Sequence, residues 1–204
     1  TLRFADVDKL YEPALPNRGI IFWVGSYPWI LKNRGIGEPA DHTSGARADG
    51  HNMYQMLPPQ DVKRGGKVIK EGLFEEHPEF YPMNHAGERK PTWAKGICGT
   101  AEGLPEVLAA SIRQELGDAP RDTDRIISVG QGDGFSGCQG ETCRAMVHKH
   151  QSESAPIIHM LNETLDILDD EYPNLQIITF AYFETLLPPK DMDIHENLWV
   201  NVVS

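Results

Sequence analysis

The second half of the chain alternates two periodicities, and that alternation limits its fold more than any other feature. "AEGLPEVLAASIRQEL" (101–116) puts Leu104, Val107, Leu108, Ile112 and Leu116 on one helical stripe. "RIISVG" (125–130) follows as a β-branched run, the signature of a strand. "APIIHMLNETLDILDDEY" (155–172) returns to the helical period with Ile157, Ile158, Leu161, Leu165 and Leu168. "LQIITFAYF" (175–183) and "NLWVNVV" (197–203) read as two more strands. Helix, strand, helix, strand and strand with short links predict parallel β/α units. Such units build either an open doubly wound sheet or a (β/α) barrel.

The first half is less regular. "IIFWV" (20–24) reads as a buried strand before an aromatic turn, "GSYPWI". Residues 33–66 read as a long loop region in which "HNMYQMLPP" is the only strand-like piece. "EFYPM" (79–83) and "WAKGIC" (93–98) are two short strand candidates around the turn "NHAGERKP". Residues 1–204 are expected to form one domain. The absence of an initial Met and a terminal strand with no tail suggest a fragment of a longer chain. Residues 198–203 are then expected to pair with another part of that protein or with another chain.

Charge excludes some partners. Thirty acids against nineteen bases give a formal net charge of −11, which disfavours nucleic acid or an anionic membrane surface as the main partner. No apolar run approaches the ~20 residues of a membrane span, and "TLRFADVDKL" has no signal-peptide pattern.

Open α/β sheets and barrels both receive ligands at the C-terminal ends of their strands. The residues there include Gln131, Asp133, Tyr182 and Glu184, with Trp29 beyond the first strand. "GQGDG" is no dinucleotide loop, because its glycine spacing is wrong and its acid would crowd a pyrophosphate. Two carboxylates on neighbouring strand ends are the minimum set for glycoside hydrolysis. Their ordinary alternative is capping or salt-bridging. His51, beside Gly50, is a candidate for ligand contact, and Trp29 for stacking on a sugar; His77 before Pro78 reads as structural.

Cys98, Cys138 and Cys143 are too few for a disulfide scaffold. Gly137 and Gly140 loosen the loop enough for Cys138 and Cys143 to meet, as a local disulfide or as two unlinked thiols, with Cys98 free and buried. A zinc site from Cys138, Cys143, His148 and His150 is disfavoured. On a helix Cys143 and His150 would stand about 10.5 Å apart along the axis, too far for one ion. No metal is expected, and no cofactor is required for hydrolysis by two carboxyl groups.

"GHNMYQMLPP", "EEHPEFYPMNHAGER", "GICGTAEGLPEVL", "ISVGQGDGFSGCQGETC" and "ITFAYFETLLPP", in that order, resemble domain-of-unknown-function family 4838 (DUF4838). That family is similar in turn to α-glucuronidase-type glycoside hydrolases. The resemblance runs from about Arg18 to the end and departs from the family's pattern where Gly140 interrupts the cysteines. It implies an α/β fold of the (β/α)8 TIM-barrel type, present as an N-terminal or partial barrel. It also implies hydrolysis of a polysaccharide or glycoconjugate in a secreted or periplasmic setting. Asp133 and Glu184 would be the catalytic carboxylates, and His51, Trp29, Gln131 and Tyr182 would contact the sugar. The alternative is a carbohydrate-binding protein on a barrel that has lost catalysis.

Overall fold

The structure, a computed structural model, describes residues 51–91, 96–118 and 120–202, all within the unit His42–Ser204. In chain order the regular elements are α1 (Met53–Met56), β1 (Val62–Arg64), β2 (Lys67–Lys70), α2 (Leu104–Leu116) and β3 (Arg125–Ser128). They continue with α3 (Glu141–His150), α4 (Ala155–Leu168), β4 (Leu175–Ala181) and β5 (Leu198–Val202). The fold is α/β, with a three-stranded parallel sheet in the order β3-β4-β5.

β4 is the central strand, and the sequence explains why. "LQIITFA" is apolar almost throughout and buried along nearly its whole length, as a parallel strand covered on both faces must be. Its register sets Ile177 beside Ile127 on one side and Leu198 on the other. Those three residues enter the main core with Leu104, Leu108 and Ile112 of α2 and Ile158, Leu161 and Leu165 of α4. Each fully buried Leu or Ile contributes roughly 1.5–3 kcal/mol. Packing of these two amphipathic helices on the sheet therefore outweighs any gain from helix propensity.

The links differ in kind. From β3 to β4 the chain passes through α3 and α4, an ordinary helical crossover. From β4 to β5 it passes through a 3-10 turn (Phe183–Thr185) and an extended segment. α3 and α4 hold that segment in place. Ser152 and Ser154 hydroxyls donate to the Leu187 carbonyl, Lys190 N–H donates to His150 O (2.8 Å), and Asn162 Nδ2 donates to Asp193 O (2.7 Å). β5 forms the outer edge of the described sheet, with Val200 and Val202 exposed.

Three local expectations are corrected. "HNMYQM" makes one helical turn, not a strand, because the Asn52 carbonyl accepts from Gln55 and Met56 while Pro58 and Pro59 prevent extension. Residues 62–70 form an antiparallel hairpin, not loop. Its turn is Gly65-Gly66, both at positive φ, as two-residue hairpins require. "EFYPM" is a 3-10 turn (Pro78–Phe80), with Met83 making a single bridge to Arg89. Of "WAKGIC" only 96–98 are described, without regular structure; "IIFWV" lies outside the described residues. No described helix is long and apolar enough to cross a membrane.

Candidate functional site

Residues 51–53 dock beside the C-terminal end of β3 and carry His51 there. Asn52 fixes the docking: its Nδ2 donates to Ser128 O (2.6 Å), and its Oδ1 accepts from Gly130 N–H (2.9 Å). Met53 N–H adds a bond to Gly130 O at 3.0 Å. His51 Nδ1 then lies 2.7 Å from the Gln131 carbonyl. Its ring meets Phe180 edge-on at 5.2 Å and Tyr182 at 6.0 Å. Tyr182 in turn contacts Phe183 at 4.2 Å between centroids. Phe183 sits at φ 49° and is 66% exposed, so one aromatic face beside the strand ends is open to solvent.

Below this rim Gln131 is 2% exposed. Its Nε2 donates to Thr185 Oγ1 at 2.5 Å, while its Oε1 has no partner among the described residues. Thr185 Oγ1 also accepts from Tyr182 N–H (3.1 Å), closing the 3-10 turn after β4. Gln131 and Thr179, whose buried hydroxyl likewise has no partner among the described residues, line a cavity of about 220 Å³ with Ile157, Ile158, Val200 and Val202.

The structure thus brings together His51, the Gln131 backbone and Tyr182. The Gln131 side chain is held by Thr185. Asp133 and Glu184 are both exposed, Asp133 on the loop after β3 and Glu184 on the 3-10 turn after β4. Trp29 lies outside the described residues. Asn52 and Phe180 were missed by sequence reasoning. An Asn before a helical turn signals only a cap, and here it bridges to a strand 76 residues away.

A second constellation forms around the cysteines. Of the two alternatives for Cys138 and Cys143 the structure has the unlinked thiols, and Cys98 is free and buried as well. His148 is exposed, and buried His150 engages Lys190 O at 2.7 Å, so neither histidine joins the cysteines. Three sulfurs nevertheless converge here. Cys98, Cys138 and Cys143 have their sulfurs all within 4.8 Å of one another. Cys98 arrives on the 96–100 segment, which Phe80 O holds by accepting from Cys98 N–H (2.8 Å). Cys143 comes from the first turn of α3.

The groups around these sulfurs are polar. Cys138 Sγ accepts from Met83 N–H (3.3 Å) and Gly140 N–H (3.4 Å). Arg89 Nη2 reaches Cys98 Sγ at 3.9 Å, and Thr100 Oγ1 lies 3.1 Å from Cys143 Sγ. Hydrogen bonds from Cys138 and Cys143, with the Arg89 guanidinium beside them, lower the Cys98 thiol's pKa, while the Cys143 thiol is raised.

No curated protein and no solved structure matches the chain. The family model for the domain of unknown function DUF4838 matches residues 43–204, and the chain belongs to that family.

Proposed function

We propose that the chain is part of a (β/α)8-type glycoside hydrolase domain that cleaves a glycosidic bond in a polysaccharide or glycoconjugate, outside the cytoplasm. The observation that carries this reading is the gathering of His51, Tyr182 and the Asp133 and Glu184 loops at the C-terminal ends of adjacent parallel strands. That is where barrel chemistry takes place. Asp133 would protonate the leaving oxygen and Glu184 would act as base or nucleophile. His51 and Tyr182 would contact the sugar, with Gln131 holding His51 through its carbonyl. Trp29 would add a stacking surface.

A second reading, carbohydrate binding without catalysis, is favoured by one feature. A general acid owes its raised pKa to burial or to a nearby like charge, and Asp133 and Glu184 are both exposed. The exposed Phe183 against Tyr182 would serve a binder equally well.

The test is sugar release from a panel of aryl glycosides and plant or microbial polysaccharides. If Asp133 is the acid, Asp133→Asn lowers turnover about 10²–10⁴-fold with sugar affinity nearly unchanged. Equal activity in variant and wild type removes Asp133 from the mechanism. An inactive wild type that still binds oligosaccharide establishes the second reading.

A further inference from the structure

We propose that Cys98, Cys138 and Cys143 bind one zinc ion as three thiolates, and that this ion pins the loop carrying Asp133 to the rest of the fold. The site is separate from the strand-end residues above.

Geometry is the first support. Zinc–sulfur bonds of about 2.3 Å at tetrahedral angles place sulfurs roughly 3.8 Å apart. Cys98 Sγ and Cys143 Sγ are 3.5 Å apart, and no pair among the three sulfurs exceeds 4.8 Å. That spacing is far longer than the S–S bond of about 2.05 Å. It is close enough for one ion to meet all three sulfurs after small side-chain shifts.

The surroundings are the second support. Buried cysteines that serve as small apolar fillers sit among aliphatic side chains. These three form a cluster distinct from the main core, and among the described residues their apolar neighbours are Met83 and Ala101, the latter shared with that core. Their remaining contacts are backbone N–H groups, a hydroxyl and a guanidinium. Those are the outer partners that orient and tune metal-bound thiolates.

Charge selects the metal. Three thiolates and Zn²⁺ sum to −1, which the adjacent Arg89 neutralises; Cu⁺ in the same place would leave −2 on the ligands. Loading forms three Zn–S bonds and releases the thiol protons to solvent. The fourth position would be open to a solvent ligand, and Thr100 Oγ1, 3.1 Å from Cys143 Sγ and bonded to Thr142 Oγ1 at 2.7 Å, lies beside the sulfurs. Four segments then meet at one ion: 83–89 through its bonds to the sulfurs, 98–100, the loop before α3, and the start of α3 itself.

The experiment uses the full 204-residue chain made in zinc-supplemented medium. Elemental analysis should find one zinc per chain. Replacement by Co²⁺ should give the intense charge-transfer and d–d bands of a tetrahedral thiolate site. Cys98→Ser, Cys138→Ser and Cys143→Ser should each weaken zinc binding by more than the about 10–100-fold typical of losing an outer partner. Asp133→Asn should keep full zinc content. Because a serine variant can fail to fold, the cobalt spectrum and thiol titration of the wild type stand independently. Three thiols protected until a chelator is added support the site. Wild type without zinc and without cobalt bands, or a disulfide in the unreduced protein, overturns it.

Discussion

Cys98 and Cys143 approach to 3.5 Å between sulfurs although 45 residues separate them in the chain. Their contact closes the 96–100 segment onto the first turn of α3, next to the loop that begins at Gln131. If zinc holds this contact, an ion present at a hundred times its dissociation constant adds about 2.7 kcal/mol of stability. Chelation is then expected to lower Tm by roughly 5–10 °C. Amide exchange should accelerate in 131–140 and 96–100 while β4 stays protected. Calorimetry and hydrogen exchange, with and without chelator, check both parts.

Gly99 is needed for the same closure. A Cβ there would stand 2.1 Å from the Pro156 carbonyl oxygen and 2.4 Å from its carbon, both backbone atoms of α4. Neither can yield without displacing the helix. Gly99→Ala is therefore expected to cost at least the upper end of the about 1–3 kcal/mol typical of overpacking. Urea unfolding measures it. A variant as stable as wild type would mean that 96–100 does not lie against α4.

Glu171 gives a pH dependence with a definite sign. Hydrogen bonding to Arg113 (2.7 Å), with Arg121 at 3.3 Å, holds its carboxyl below the ordinary value of 4.5. A lowered folded pKa contributes stability that is fully present above 4.5 and is lost as pH falls through the folded value. Tm of wild type minus Tm of Glu171→Gln should be positive at neutral pH and shrink toward zero below about pH 4.5. A difference that grows on acidification would contradict the pairing.

How much of this was legible in the sequence depended on the range of each interaction. α2, α4 and β4 were readable because burial against one shared core imposes a period of 3.6 or a continuous apolar run on each segment separately, whereas β3 and the mostly exposed β5 were readable from their β-branched residues. The position of Asp133 and Glu184 after parallel strands followed from that pattern. The hairpin at 62–70 carried its signal in Gly65-Gly66, but its strands, "VKR" and "KVIK", are mostly exposed and show no apolar alternation. The three-thiol cluster was hidden for another reason. Spacing can pair Cys138 with Cys143, whereas Cys98 joins them only through the tertiary path set by Phe80 and Gly99. Asn52 was equally silent, since its partners belong to a strand far along the chain.

Asn52 supplies the last prediction. Its side chain both donates to Ser128 O and accepts from Gly130 N–H. Asn52→Ala leaves two polar backbone groups at the end of β3 without those partners, at a cost of about 2–3 kcal/mol. Asn52→Asp keeps the acceptor for Gly130 but turns a second carboxylate oxygen toward the Ser128 carbonyl, so it should be destabilised as well. His51 is bonded to Gln131 O and packed on Phe180 and Tyr182. It follows Asn52 in position, so both variants should weaken oligosaccharide binding more than His51→Gln does, because they release the whole 51–53 segment. Urea unfolding together with titration calorimetry separates the two effects. Full stability in Asn52→Ala would show that Met53 N–H alone holds the segment against β3.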